Sequence, residues 1–266
     1  MVEIKKCGSY LQVDQNGFVM PIDSSSTIQS KWLPIINDVI SFYQSEFKAN
    51  LHSVYIRGSV AKASAVDFVS DLDSFAVLNI ESEINQQNLN GFEKELNQKY
   101  PFCNHTEITA VSLNDVHAVP DKRKRSIWDE LIKTQSRCVF GVDLAISIEP
   151  FRLEEMIGHS LYIVDEIKKL PTYIEEDSDD PLELQGLCVW ITRRVLRAGF
   201  DLVMEREQRF SRDLYCCYES TVKYYPELEN NFKNILDLSL NPTAKVDHWL
   251  PLVNELGQWF ELNIKK

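Results

Sequence analysis

No run of apolar residues in this 266-residue chain is long enough to cross a bilayer, since such a helix takes about 20 of them in a row. Histidine is sparse, and the five present are scattered with no pair at metal-ligand spacing, so no zinc site is expected. The six cysteines, Cys7, Cys103, Cys138, Cys188, Cys216 and Cys217, form neither a Cys-x-x-Cys pair nor a disulfide framework. They read as reduced cysteines of a cytoplasmic protein, with Cys216-Cys217 packing inside a helix. Positive charge is also short. Twenty-eight Lys and Arg face 40 Asp and Glu, a net charge of −12, which disfavours long nucleic acid because its phosphates would be repelled over most of the surface. An acidic surface suits a small-molecule enzyme or a cationic acceptor, and it also serves plain solubility. The opening residues Met1-Val2-Glu3-Ile4-Lys5-Lys6 carry no apolar signal-type stretch, and the expectation is a protein that is not exported.

What is present argues for a packed core. Hydrophobic residues make up 44% of the chain, with five Trp, ten Tyr and thirteen Phe, enough for one or two globular domains. Residues 10–13 and 18–20 flank Asn16-Gly17, a hairpin signal. In residues 31–47, Trp32, Ile35, Ile36, Val39, Ile40 and Tyr43 recur at helical spacing. Strands are expected at 52–57, 72–80 and 102–113, with a helix at 84–100 between the last two. After Pro150 the pattern becomes helical throughout, at 151–170, 182–205, 212–225, 228–240 and 246–262. The breaks hold Pro171, Pro181, Pro226, Pro242 and the acidic run Glu175-Glu176-Asp177-Ser178-Asp179-Asp180, which reads as a linker. The fold expected is α+β, with a mixed-sheet domain over 1–150 followed by an all-helical domain over 151–266.

Chemistry concentrates in one stretch, Tyr55-Ile56-Arg57-Gly58-Ser59-Val60-Ala61-Lys62, which leads to Ser70-Asp71-Leu72-Asp73-Ser74-Phe75-Ala76-Val77-Leu78. Gly58 follows a strand and opens a helix, where a glycine lets a phosphate approach the backbone N–H groups. Ser59 is placed to cap that helix and to donate its hydroxyl to a phosphate oxygen. Asp71 and Asp73 stand two apart on a strand, so both carboxylates project from one face while Leu72 points into the core. Two adjacent hard oxygen ligands suit magnesium, which takes one or two carboxylates with waters and substrate phosphates.

These residues resemble the nucleotidyltransferase superfamily that includes DNA polymerase β and the aminoglycoside adenylyltransferases: a strand ending in Gly58-Ser59, a short helix, then the Asp71-Leu72-Asp73 strand. The chain departs from the family at Lys62-Ala63, where a second glycine is common. The resemblance implies a magnesium-dependent enzyme with ATP or another nucleoside triphosphate as co-substrate, transferring a nucleotidyl group to a hydroxylated acceptor. It makes Asp71 and Asp73 the metal ligands and catalytic carboxylates. Gly58, Ser59 and Lys62 would contact the nucleotide. The family's third carboxylate matches Glu107, in Thr106-Glu107-Ile108-Thr109, as general base; Asp115, Asp129 and Asp143 are runners-up, with Asp143 expected to be structural. Residues 187–200 and Arg209-Phe210-Ser211-Arg212-Asp213-Leu214 resemble the C-terminal helices of spectinomycin/streptomycin-type enzymes, with Arg212, capped by Ser211, reaching the triphosphate and the helical domain closing the cleft. Arg193 and Arg197 share a helix face and line the cleft or are simply solvated. Lys122-Arg123-Lys124-Arg125 reads as a solvated loop rather than an RNA contact. The acceptor stays open between an aminoglycoside-like small molecule, a protein side chain and RNA. A different class of function, a non-catalytic nucleotide-binding partner of the toxin–antitoxin type, stays open beside them.

Overall fold

The computed structural model describes residues 6, 8–23 and 27–264; Cys7 and all of the opening stretch except Lys6 lie outside them. The chain divides into two compact units, one of Met20–Phe151 and one of Met1–Val19 with Arg152–Lys266. The described residues before Met20, including the short strand β1 (Leu11–Gln12), thus belong with the C-terminal helices, not with the sheet as the sequence suggests.

The first unit is a mixed sheet with helices. In chain order it contains α1 (Leu33–Phe47), β2 (Leu51–Arg57), the one-turn α2 (Gly58–Ala61), β3 (Leu72–Leu78), α3 (Gln86–Lys99), β4 (Thr106–Ser112), the short turns α4 (Leu113–Val116) and α5 (Ile127–Glu130), and β5 (Ser136–Gly141). Pro34 sits in the first turn of α1, where its missing N–H costs nothing. Trp32 just before the helix, and Ile35, Ile36, Val39, Tyr43 and Phe47 within it, are all buried on one stripe. Truncating a fully buried side chain such as Trp32 to Ala would cost about 3–5 kcal/mol.

The strand order is β4-β3-β2-β5, with β3 and β4 parallel and the other neighbours antiparallel. β3 lies inside the sheet, and from Ser74 to Leu78 it is buried on both faces, which is why its sequence reads as a nearly unbroken apolar run. β5 is the strand that pattern reading leaves out. It is an edge strand, half-buried along most of its length, without the clean alternation that marks a strand in sequence. β4 starts later than the expected 102, because Cys103 closes a turn onto the carbonyl of Tyr100 at 3.0 Å.

The second unit holds β1, α6 (Ile163–Glu176), α7 (Pro181–Asp201), α8 (Met204–Glu207), β6 (Arg209–Phe210), α9 (Leu214–Tyr224), α10 (Glu229–Leu240) and α11 (Leu250–Asn263). Asn16-Gly17 does make a turn, with Gly17 at φ +85°, a value glycine reaches without strain, and Val13 bridges Val19. The longer pairing of β1, however, is with β6, a strand the helical pattern hides. α6 runs through Pro171 instead of ending there. The proline sits on the exposed side, and burial of Ile163, Ile167 and Leu170 offsets its lost hydrogen bond. Asp180, from the acidic run, caps α7 by accepting from Leu182 N at 2.9 Å. α7 is the central helix, flanked by α6, α9 and α10. Cys216 and Cys217 are buried in α9, and burial pushes the Cys217 thiol up to about 12, consistent with packing rather than reactivity.

Candidate active site

Three charged residues fall in one row across three adjacent strands. Arg57, the last residue of β2, pairs with Asp73 of β3, and Asp73 pairs with Glu107 of β4. Directly paired residues project on the same face of a sheet, and this face continues through Phe75, which stacks on Tyr55 at 5.2 Å and meets Trp128 at 5.1 Å. Leu72 is fully buried on the opposite face. The row is braced from below: Ser74 Oγ donates to the Glu107 carbonyl at 2.9 Å, and Tyr43 Oη contacts Ser74 Oγ at 3.1 Å while donating to the Thr109 carbonyl at 3.0 Å.

The side chains meet at hydrogen-bonding range. Arg57 Nη2 donates to Glu107 Oε2 at 2.6 Å, and Arg57 Nη1 stands 3.5 Å from Asp73 Oδ2. Asp73 keeps 23% of its side chain exposed and Glu107 43%, so both can be reached from solvent. Burial pushes the Asp73 carboxyl above its ordinary range; Arg57 pulls it down, while the nearby Glu107 and Asp71 push it further up. Crowded carboxylates of this kind favour a cation.

Asp71 lies just before β3, not on it. Its Oδ1 accepts from Asn104 Nδ2 at 2.9 Å, and it acts on Asp73 through its charge. Among the described residues no group of three or more His, Cys, Asp or Glu side chains is gathered so that it could hold a metal ion. A magnesium site would need none, since two carboxylates with waters and phosphates complete its shell.

Gly58 turns the chain out of β2 with φ +73°, and a Cβ added there would lie 2.8 Å from Asp73 Oδ2. The absence of a side chain keeps that carboxylate oxygen clear on the Gly58 side. Ser59 sits within α2 and does not cap it: Arg57 holds the N-cap position with no side-chain cap, and the Ser59 carbonyl accepts from Ser64 N at 2.9 Å. Lys62 ends the same turn, its N–H donating to the Gly58 carbonyl at 3.2 Å.

The other residues singled out in sequence have local partners. Arg212 Nη1 donates to buried Asp201 at 2.6 Å and Nη2 to the Met156 carbonyl at 2.7 Å. Ser211 Oγ accepts from Asp213 N at 3.1 Å, ahead of α9. Arg197 Nε donates to the Arg212 carbonyl at 3.3 Å, and Arg193 is exposed. Asp115 accepts from Ser112 Oγ at 2.6 Å, Asp129 meets His117 Nδ1 at 2.8 Å, and Asp143 accepts from Ala145 N at 3.0 Å, capping a turn. The basic run is not a solvated loop throughout. Arg123 is buried against Glu130, and Arg125 donates to the carbonyls of Pro150 and Glu149 at 2.8 and 2.9 Å and stacks on Phe151. Sequence reasoning missed Arg57, although its place one residue before Gly58 put it beside Asp73 once β2 and β3 were paired.

No protein-family model and no curated protein matches the chain. Among solved structures it is similar to a spectinomycin adenyltransferase from Enterococcus faecialis, determined with ATP and spectinomycin, at 15% identity and a TM-score of 0.46 over 86% of this chain and 99% of that one. So distant a likeness transfers neither activity nor ligand. Among the described residues no helix is long and apolar enough to cross a membrane.

Proposed function

We propose that the chain is a magnesium-dependent nucleotidyltransferase that moves AMP from ATP to a hydroxyl of a small acceptor, with an aminoglycoside-like polyol as the leading class. The observation that carries this reading is the pairing of Asp73 with Glu107, with Asp71 near enough to act on Asp73 by charge and no Gly58 side chain over Asp73 Oδ2. Asp71 and Asp73 would hold the ion, which when bound neutralises charge on the triphosphate. Gly58 gives the phosphates backbone access, with Ser59 and Lys62 beside it. Glu107 takes the proton of the acceptor hydroxyl as its oxygen bonds to the α-phosphorus. The bond from that phosphorus to the leaving oxygen breaks, and pyrophosphate departs. Positioning and charge complementarity supply the rate, with no covalent intermediate on the protein. The net charge of −12 favours a small or cationic acceptor over RNA.

Pyrophosphate release tests this with four nucleoside triphosphates against aminoglycosides, tRNA and a protein lysate. D73N should lower release by roughly a hundredfold to ten-thousandfold while circular dichroism stays unchanged. Unchanged release in folded D73N defeats the proposal. Magnesium-dependent ATP binding with no release against any acceptor would favour a regulatory nucleotide-binding role.

A further inference from the structure

The carboxylate row already contains a cation of its own. Arg57 does not fork onto one carboxylate, as arginine commonly does, but spans two of them, with Nη1 toward Asp73 and Nη2 on Glu107. We infer that Arg57 is a built-in counter-cation, holding Asp73 and Glu107 together when no metal is bound and competing with a divalent ion for the same carboxylates. A metal ion alone then binds weakly, and binds well only when it arrives with a nucleoside triphosphate. This inference rests on the reading of Asp71 and Asp73 as cation ligands.

Three features support it. The residue is set by the fold, because the Arg57–Asp73–Glu107 row is fixed by strand register and not by a mobile loop. Its charge cannot be titrated away, so the guanidinium can only be outcompeted or moved. The need for a positive partner is also intrinsic: without Arg57, Asp73 and Glu107 would stand directly opposite each other on paired strands with like charges. A triphosphate supplies the negative charge that offsets the repulsion between guanidinium and metal, which couples arrival of the ion to arrival of the nucleotide.

The test is binding of manganese, followed by the paramagnetic resonance of the free ion, to the full chain with and without ATP, together with thermal melting in chelator. R57Q should bind manganese alone at least about tenfold tighter than wild type, while R57K, which retains the charge, stays within about threefold. R57Q should also melt lower in chelator and recover on adding manganese. Equal or weaker manganese binding by folded R57Q overturns the inference. If R57Q does not fold, the comparison is R57Q/E107Q against E107Q, where no unpaired Glu107 remains; the same tightening is expected, and equal affinities overturn the inference. D73N separates the two readings. If D73N binds manganese with ATP as wild type does, Asp73 is not a ligand and the function reading fails. If D73N loses that binding while R57Q is unchanged, only the role of Arg57 fails.

Discussion

Replacing Gly58 with alanine should damage the site by two routes that can be measured separately. The backbone at this position has φ +73°, which costs an L-residue about 1–2 kcal/mol. The new methyl would also stand 2.8 Å from Asp73 Oδ2, against an ordinary contact of at least 3.4 Å. The carboxylate must therefore move by about half an ångström or rotate, and displacements approaching 1 Å in such sites cost about a hundredfold in rate. Urea unfolding of G58A should show a loss of about 1–2 kcal/mol. Pyrophosphate release with ATP should fall by one to two orders of magnitude, about 1.4–2.7 kcal/mol in barrier. The two effects are read in separate assays. A G58A protein with wild-type release, whatever its stability, would show that the Asp73 oxygen beside Gly58 takes no part in the reaction.

Other positions give independent checks. R123A takes the guanidinium away from buried Glu130, and denaturant unfolding should show about 3–5 kcal/mol lost. G199A places a Cβ 2.7 Å from the Phe232 ring between α7 and α10, an overpacking that should cost about 1–3 kcal/mol in the same assay; G186A, where the same methyl meets nothing within 4 Å, should be neutral or stabilising by up to about 1 kcal/mol. Burial tends to raise the Glu207 carboxyl, but hydrogen bonds from Lys223, Arg209 and Tyr224 outweigh it and hold the group below its usual range. A depressed carboxyl contributes stability above its unfolded value, near pH 4, and loses it as pH falls further. Stability measured from pH 7 to pH 3 should fall less steeply in E207Q than in wild type, and equal slopes would contradict the assignment.

The α+β character of the chain was legible because α1 and the helices after residue 160 carry strong periodicity over long windows, and β3 reads as a short, nearly unbroken apolar run. The Gly58 corner was legible for a similar reason: strand, glycine and Asp-x-Asp follow one another within a short stretch. What escaped depends on partners distant in sequence. β5 is recognisable only beside β2, and β6 only beside β1, which lies about 200 residues earlier. The expectation that Ser59 caps α2 failed because the turn begins at Gly58, two residues too early for a cap at Ser59. Arg57 looks in sequence like an ordinary strand-end cation, and its bridging of Asp73 and Glu107 emerges only from the pairing of three strands.

The bridge between Phe18 and Arg152 has a consequence for how the protein is made. The Arg152 guanidinium lies 4.5 Å over the Phe18 ring and donates to the Asn16 carbonyl at 3.1 Å, so the points where the chain leaves and re-enters the helical unit are neighbours. Everything from Met20 to Phe151 is in effect a loop closed at its base. During synthesis that loop can fold while Leu11 and Gln12 still wait for Arg209 and Phe210 to emerge, which makes the sheet the first part to become native and the helical unit the last. Ends held this close also suit excision, and residues 20–151 expressed alone should retain the carboxylate row intact.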